Sequence, residues 1–117
     1  MTTRNAPDLA TSFPRSGREL LGGYAWLARL ADKGRAEAAG TTGEYVAYCA
    51  LSLGFLQRAG VRAVDFKKLV AANTSDADLV TYFDRHVSPQ QKQAANDFVL
   101  TDMASHLDEQ DAEEGRG

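Results

Sequence analysis

Helix-capping signals recur along this sequence, whereas the alternation of polar and apolar residues that marks a β-strand hardly appears. The strongest signal is Ser88-Pro89-Gln90-Gln91, with serine as the cap, proline at the first helical position and glutamine at the third. Ser75-Asp76-Ala77-Asp78 is a variant of the same box, and Gly40 and Gly60 follow helical patterns as C-terminal caps. A chain of 117 residues suits one hydrophobic core. We therefore predict an all-α, compact single-domain bundle of five or six short helices.

The two ends of the chain carry no helical periodicity. Residues 1–13 predict an irregular N-terminal arm and residues 14–107 a helical domain. Residues 108–117 predict an acidic, disordered tail, because D-E-Q-D-A-E-E has the composition of a solvated segment. The last helix is accordingly expected to fray beyond Leu107.

Four more segments complete the expected order of elements. Ser16-Gly17-Arg18-Glu19 has the spacing of a capping box and predicts a short helix. The segment from about Tyr24 to Ala39 predicts the best-defined helix of the chain. Ser52 and Asp65 are the predicted caps of two further helices. Between them, E-Y-V-A-Y-C fits both an extended segment and a helical turn.

Composition excludes several classes of protein. No apolar run approaches the roughly 18 residues of a membrane span, and the N-terminus lacks an export or organelle signal, so a soluble, cytoplasmic protein with no membrane partner is expected. The single cysteine, Cys49, cannot form an internal disulfide, and His86 and His106 are too far apart for a zinc pattern. The sequence contains no phosphate loop, dinucleotide fingerprint or nucleophile elbow. We therefore expect no bound metal and no cofactor.

Charge is divided unevenly along the chain, whose formal net charge is −3. Residues 1–72 hold ten Lys and Arg against six Asp and Glu, and residues 73–117 hold three against ten. The basic half lacks a dense Lys/Arg stripe interleaved with aromatic residues, so nucleic acid is not an expected partner. The two halves can attract each other within one chain or between copies, which leaves the oligomeric state open.

The predicted helix from Tyr24 to Ala39 divides into an apolar and a polar face at roughly 100° per residue. Its charges are spaced for ion pairs on a solvated face, which contribute about 0.2–0.5 kcal/mol each. Trp26 lies beside Arg29 and Lys33 rather than on the apolar stripe, so it needs cover from the N-terminal arm or a bound ligand. The apolar stripe is Leu27, Leu30, Ala31, Gly34 and Ala38, and the polar face is Arg29, Asp32, Lys33, Arg35 and Glu37.

The first functional hypothesis is a binding module for an anionic small molecule or an acidic protein segment. Arginine binds carboxylates and phosphates through two parallel hydrogen bonds, and aromatic rings stack on ligands and on cations. The expected cationic surface is Arg15, Arg18, Arg29, Lys33 and Arg35 beside Tyr24 and Trp26, and the predicted binding residues are Trp26, Arg29, Lys33, Arg35, Tyr45 and Cys49.

The alternative is a small enzyme that acts on an anionic substrate. General acid/base catalysis needs a carboxylate with a shifted pKa and a partner within hydrogen-bond reach. Asp32 or Glu44 is the candidate carboxylate, with Lys33, Tyr45 or Cys49 assisting. Among its apolar neighbours, Cys49 also fits a small buried residue with a raised pKa. Whether the chain is an enzyme stays open.

Five segments follow one another in a recognisable order: P-R-S-G-R at 14–18, R-L-A-D-K-G-R-A-E-A-A-G at 29–40, G-E-Y at 43–45, C-A-L-S-L-G-F-L at 49–56 and D-A-D-L-V-T-Y-F at 76–83. In order and spacing they resemble a bacterial family of small proteins known as domain of unknown function 5069. The family supplies a pattern and no activity, so the resemblance implies only that the matching residues act as a group.

The chain departs from the pattern of that family at three positions. Gly17 and Ala50 stand where the family has prolines, and Ser52 stands where it has an aspartate. Serine keeps the capping role of an aspartate without its charge, so no catalytic carboxylate is expected at this position. The resemblance gives weight to Arg29, Asp32, Lys33, Arg35, Gly43, Glu44, Tyr45 and Cys49 as a group.

Overall fold

The computed structural model describes residues 6–116 and confirms the prediction of an all-α, single-domain bundle. The Cα radius of gyration is 13.2 Å, close to the roughly 13 Å of a compact domain of about 100 residues. Within residues 6–116, no helix is long and apolar enough to span a membrane. The helices are α1 (Leu27–Ala39), α2 (Ala50–Ala59), α3 (Ala63–Ala71), α4 (Asp76–His86), α5 (Pro89–Asp97) and α6 (Ala104–Glu113), and a π-helical turn (Phe98–Asp102) joins α5 to α6.

Helix α1 lies at the centre of the bundle and is buried along most of its length. All residues from Leu27 to Ala36 are buried, whereas a surface helix buries only one stripe. The interpretation of its polar side as a solvated face is therefore wrong. Arg29, Asp32 and Arg35 are buried here because oppositely charged partners from other segments neutralise them. Helical periodicity does not reveal such distant partners. The buried charged residues of α1 are Arg29, Asp32, Lys33 and Arg35, each with 2–4% of its surface exposed.

The start of α1 explains why the segment before it is not helical. Trp26 has φ 73°, a left-handed conformation that is costly for a bulky residue. Its backbone N–H donates to the carbonyl oxygen of Gly17 at 2.8 Å, and a Cβ atom on Gly17 would lie 2.6 Å from the indole ring. The short helix predicted from Ser16 is therefore wrong, because this segment packs as turns over Trp26. For the same reason α1 begins at Leu27, not near Tyr24.

Four helix ends form where the local sequence signals predict them. Ser75 caps α4 by accepting a hydrogen bond from the Asp78 backbone N–H, and Ser88 forms the full capping box of α5. Gly40 and Gly60 end α1 and α2 in the left-handed conformation. All four predictions are confirmed.

Two predicted N-caps are wrong, and the structure decides the conformation of one ambiguous segment. The residue that precedes α2 is Cys49, so Ser52 lies inside the first turn of that helix. Helix α3 begins after Arg62, and Asp65 likewise lies in its first turn, where a carboxylate favours the helix dipole. The ambiguous E-Y-V-A-Y-C segment forms turns. In both helices the polar side chain lies one turn inside the position that its spacing suggested.

The C-terminal segment is folded, in contrast to the disordered tail predicted for residues 108–117. Helix α6 continues through Glu113, so fraying beyond Leu107 is also wrong. The acidic side chains are held because Arg18 pairs with Asp108 at 2.6 Å and with Asp111 at 2.9 Å. Residue 117 and the first five residues of the predicted arm lie outside the described residues.

Candidate functional site

Two polar clusters flank α1, and the first is an ion-pair network that we call the arginine–aspartate cluster (Arg15, Asp32, Arg35 and Asp76). Arg15 binds Asp32 at 3.0 Å and Asp76 at 2.9 Å, and Arg35 binds Asp76 at 2.9 Å. The backbone N–H of Arg15 also donates to Asp32. Burial alone would raise the pKa of Asp76, but Arg15 and Arg35 hold it below its ordinary value. Among the described residues, the two aspartates thus pair with the two arginines, and Glu19 adds a longer contact to Arg15 at 3.9 Å.

The second cluster surrounds a pocket of about 630 Å³ between the N-terminal arm, α1, the turn before α2 and the end of α6. This volume is within the range of pockets that hold small molecules. We call it the Lys33 pocket. Its lining residues are Leu9, Ala10, Phe13, Arg29, Lys33, Gly43, Glu44, Tyr45, Val46, Cys49, Gln110, Glu113 and Glu114.

Lys33 is a buried cation in this pocket, with 4% of its surface exposed. Within residues 6–116, its ammonium group has one hydrogen-bond partner, the Cys49 Sγ atom at 3.8 Å. The same ammonium lies 5.2 Å from the centroid of the Trp26 ring. Burial, together with the charge of Arg29, lowers the pKa of Lys33. Lys33 therefore differs from the arginines around it, which have carboxylate partners.

Cys49 precedes α2 and lines the same pocket. Its Sγ atom lies 3.6 Å from the Ser52 hydroxyl. Burial alone would raise the pKa of the Cys49 thiol, but the Lys33 charge and the groups of Ser52 and Leu51 at the start of α2 lower it below the ordinary value. Cys49 packs against the core as expected, but the raised pKa predicted for it is wrong, because the Lys33 ammonium group lies 3.8 Å from its sulfur. Cationic, half-buried surroundings of this kind are typical of reactive thiols.

Arg29, Glu114 and Tyr45 form one wall of the pocket. The Arg29 guanidinium donates to both carboxylate oxygens of Glu114, at 2.9 and 2.7 Å, and lies 5.6 Å from the Tyr45 ring centroid. Tyr45 donates to Glu114 at 2.7 Å. Burial and this carboxylate raise the pKa of Tyr45 to about 12, so the phenol remains a donor. Arg116 also binds this carboxylate.

The residues predicted for the site divide between the two clusters. Asp32 and Arg35 belong to the arginine–aspartate cluster and do not line the Lys33 pocket. Trp26 is fully buried beneath the pocket and donates its indole N–H to Ser52 at 3.0 Å. Other parts of the protein, and not a ligand, therefore cover this side chain. Glu44 is exposed at the rim. The residues that the pocket does bring together are Arg29, Lys33, Glu44, Tyr45 and Cys49.

The broad cationic surface expected beside Tyr24 is not formed. Arg15 and Arg18 are occupied by aspartates, and Tyr24 donates to Asp84 at 3.0 Å. Sequence reasoning missed Glu114, which lies 85 residues from Arg29 in the chain, and no local spacing could have identified it.

Other features of residues 6–116 are less suited to chemistry. A second pocket, of about 420 Å³, lies between α2 and the start of α3, and Arg62 is its one charged lining residue. Across the same residues, no group of three or more His, Cys, Asp or Glu side chains is placed to hold a metal ion. The Lys33 pocket is therefore the candidate functional site.

Comparison with known proteins agrees with the pattern in the sequence. A family described as a domain of unknown function (DUF5069) matches residues 11–116. This match spans both polar clusters and all six helices. A search of curated proteins found no match. The chain belongs to the DUF5069 family.

Proposed function

We propose that the Lys33 pocket binds a small anionic molecule through the Lys33 ammonium group. The supporting observation is that this buried cation faces a thiol and a cavity, where other buried cations of the chain face carboxylates. An ammonium group has three donors, and one of them is used by Cys49. A buried charge without a partner of opposite charge costs several kcal/mol, and a bound anion offsets that cost while filling the remaining donors.

The walls of the pocket support a small ligand with one anionic end. Arg29 adds positive charge beside Lys33, and its Nε atom is buried with no hydrogen-bond acceptor within residues 6–116. At the rim, however, Glu44 and Glu113 are exposed carboxylates. They repel further negative charge at the mouth, so we favour a small molecule over an acidic protein segment.

The first test is a binding measurement at constant ionic strength. Acetate, lactate, succinate and phosphate are titrated into the wild type, Lys33→Met and the control Lys68→Met, by calorimetry and by thermal shift. Lys68 is exposed on α3, so its replacement removes one charge away from the pocket. We expect at least one anion to bind the wild type and the control and not to bind Lys33→Met. If no anion binds the wild type, or if Lys33→Met binds equally well, the proposal is wrong.

The second test uses the thiol as a reporter of the same ammonium group. A bound anion offsets part of the positive charge of Lys33, and that charge favours the Cys49 thiolate. Saturation with the ligand should therefore raise the pKa of Cys49 above its value in the free protein. The measurement is the pH dependence of the rate of alkylation by iodoacetamide, with and without the anion. An unchanged profile at saturation would place the anion away from Lys33.

An enzyme that uses a carboxylate as general acid/base is the second candidate, and one observation favours it. Glu44 lines the pocket that holds Lys33, Tyr45 and Cys49. Of the two predicted carboxylates only this one has that position, since Asp32 is held by Arg15. The two candidates differ in the fate of the ligand. An enzyme would convert the bound anion into a product that NMR detects, and Glu44→Gln should stop that conversion. Under the binding proposal the anion is recovered unchanged.

A further inference from the structure

We propose that Cys49 is a nucleophile that accepts an acyl group from a small ester or thioester bound in the Lys33 pocket. The inference rests on the proposed function in one respect, since it uses the same pocket and the same ammonium group. Cys49 and Lys33 line the pocket, with the Lys33 Nζ atom 3.8 Å from the Cys49 sulfur. The fully buried Ser52 hydroxyl lies 3.6 Å from the same sulfur. No other cysteine is present in the chain.

The distance between Lys33 and Cys49 fits attack on a carbonyl carbon. When sulfur attacks, negative charge develops on the oxygen bonded to the attacked carbon, two bonds from the sulfur. A cation 3.8 Å from Sγ can donate a hydrogen bond of ordinary length to that oxygen. Donors aimed at the developing charge in a dry site are a large source of rate acceleration. Lys33 is 4% exposed, so water competes poorly for its charge.

The pocket itself supplies the independent reason to expect a ligand. A cysteine near a helix start is commonly structural, but here a nearly fully buried lysine points at the cavity with donors that the described residues do not fill. Ser52 is also fully buried, and its hydroxyl accepts from Trp26, which fixes its position beside the sulfur. The lysine and the serine are thus held in place before a substrate arrives.

The acylation step balances without an added oxidant or reductant. The Cys49 thiolate forms a bond to the carbonyl carbon of the donor, and the carbonyl electron pair moves to oxygen beside Lys33. When the carbonyl re-forms, the bond to the leaving alkoxide or thiolate breaks, and that group departs with the electron pair. The Lys33 ammonium supplies the proton that neutralises it. The products are an S-acyl cysteine, an alcohol or thiol, and a neutral lysine.

The same surroundings favour acyl transfer over oxidation of the thiol. Oxidation by a peroxide leaves a sulfenic acid that is usually resolved by a second thiol, which this chain lacks. Neither His86 nor His106 is among the described residues that line the pocket, so neither supplies an imidazole base for hydrolysis of the acyl group. We therefore expect rapid acylation followed by slow turnover.

The experiment follows acylation by p-nitrophenyl acetate in the full chain. We expect a burst of one p-nitrophenolate per chain and one acetyl group on the Cys49 peptide by mass spectrometry. Cys49→Ser should show neither. At pH 7, Lys33→Met should slow the burst at least about tenfold, Lys33→Arg should retain most of the rate, and Lys68→Met should match the wild type. Circular dichroism establishes that each variant is folded.

Each contrary result identifies what fails. The absence of a burst in the wild type, acetylation elsewhere than Cys49, or an unchanged rate in Lys33→Met each overturns the inference. If Cys49→Ser still binds acetate or lactate while the wild type is not acylated, anion binding stands and the nucleophile proposal is wrong. If the wild type is acylated at Cys49 but binds none of the four anions, the nucleophile proposal stands and the proposal of anion binding is wrong.

Discussion

The two polar clusters beside α1 contain similar residues but differ in the partners of their buried charges. Asp32 and Lys33 are consecutive in the helix, about 100° apart around its axis, yet one enters a closed network and the other a pocket. In the arginine–aspartate cluster, each aspartate pairs with an arginine among the described residues. In the Lys33 pocket a cation faces a thiol and open space. A buried charge with a matched partner indicates a structural role, whereas one facing a cavity indicates a site.

The largest effect is expected when the structural cluster is broken. Arg35→Met removes a guanidinium that is 2% exposed and leaves its aspartate partner short of positive charge. Loss of one member of a buried ion pair costs roughly 3–5 kcal/mol. The free energy of unfolding, measured in urea, should fall by that amount. Arg85→Met, at an exposed position, should change it by less than about 0.5 kcal/mol. A loss below about 1 kcal/mol in Arg35→Met would contradict a structural role for this cluster.

A smaller effect of opposite sign is expected from Lys33→Met. Methionine fills much of the same volume without a charge to bury, and burial of a single charge costs several kcal/mol in lost hydration. The contact with Cys49 offsets part of that cost in the wild type, so the free energy of unfolding should rise by only about 1 kcal/mol. Thiol reactivity should fall in the same variant. A loss of stability as large as that of Arg35→Met would show that both clusters are structural.

An effect of similar size at pH 7, which shrinks as the pH falls, is expected from Tyr45→Phe. Burial alone would raise the pKa of Glu114, but Arg29 and Tyr45 hold it below its ordinary value of 4.5. A depressed carboxyl pKa contributes stability above the ordinary value, and that contribution is lost as the pH falls through the folded-state pKa. Tyr45→Phe should therefore cost about 1 kcal/mol at pH 7 and progressively less below pH 4.5. Urea unfolding from pH 7 to pH 3 measures this; a difference independent of pH would assign Tyr45 a packing role alone.

The fold could be predicted where local chemistry determines it. Ser75 and Ser88 cap their helices through neighbours three residues away, and Gly40 and Gly60 supply left-handed termini. These signals are contained within one turn of chain. They were sufficient for the fold class and for four helix boundaries.

The site could be predicted only in part, because its geometry depends on distant contacts. Lys33 and Cys49 were both candidates, but their shared pocket depends on how the turn before α2 folds back over α1. The buried ion pair of Arg29 with Glu114 was missed, and the tail that carries Glu114 was predicted to be disordered. Composition alone makes an acidic terminus appear solvated. Its order comes from arginines elsewhere in the chain, which composition does not locate.

The pairing of Arg29 with Glu114 also affects the order in which parts of the chain can fold during synthesis. The two residues are separated by 85 positions, so at 5–20 residues per second the carboxylate is synthesised roughly 4–17 seconds after its guanidinium. Until then the central helix carries a cation whose final partner does not exist. We therefore expect α1 to pack fully only after α6 has been synthesised, and the Arg29–Glu114 wall of the pocket to form after the rest of α1.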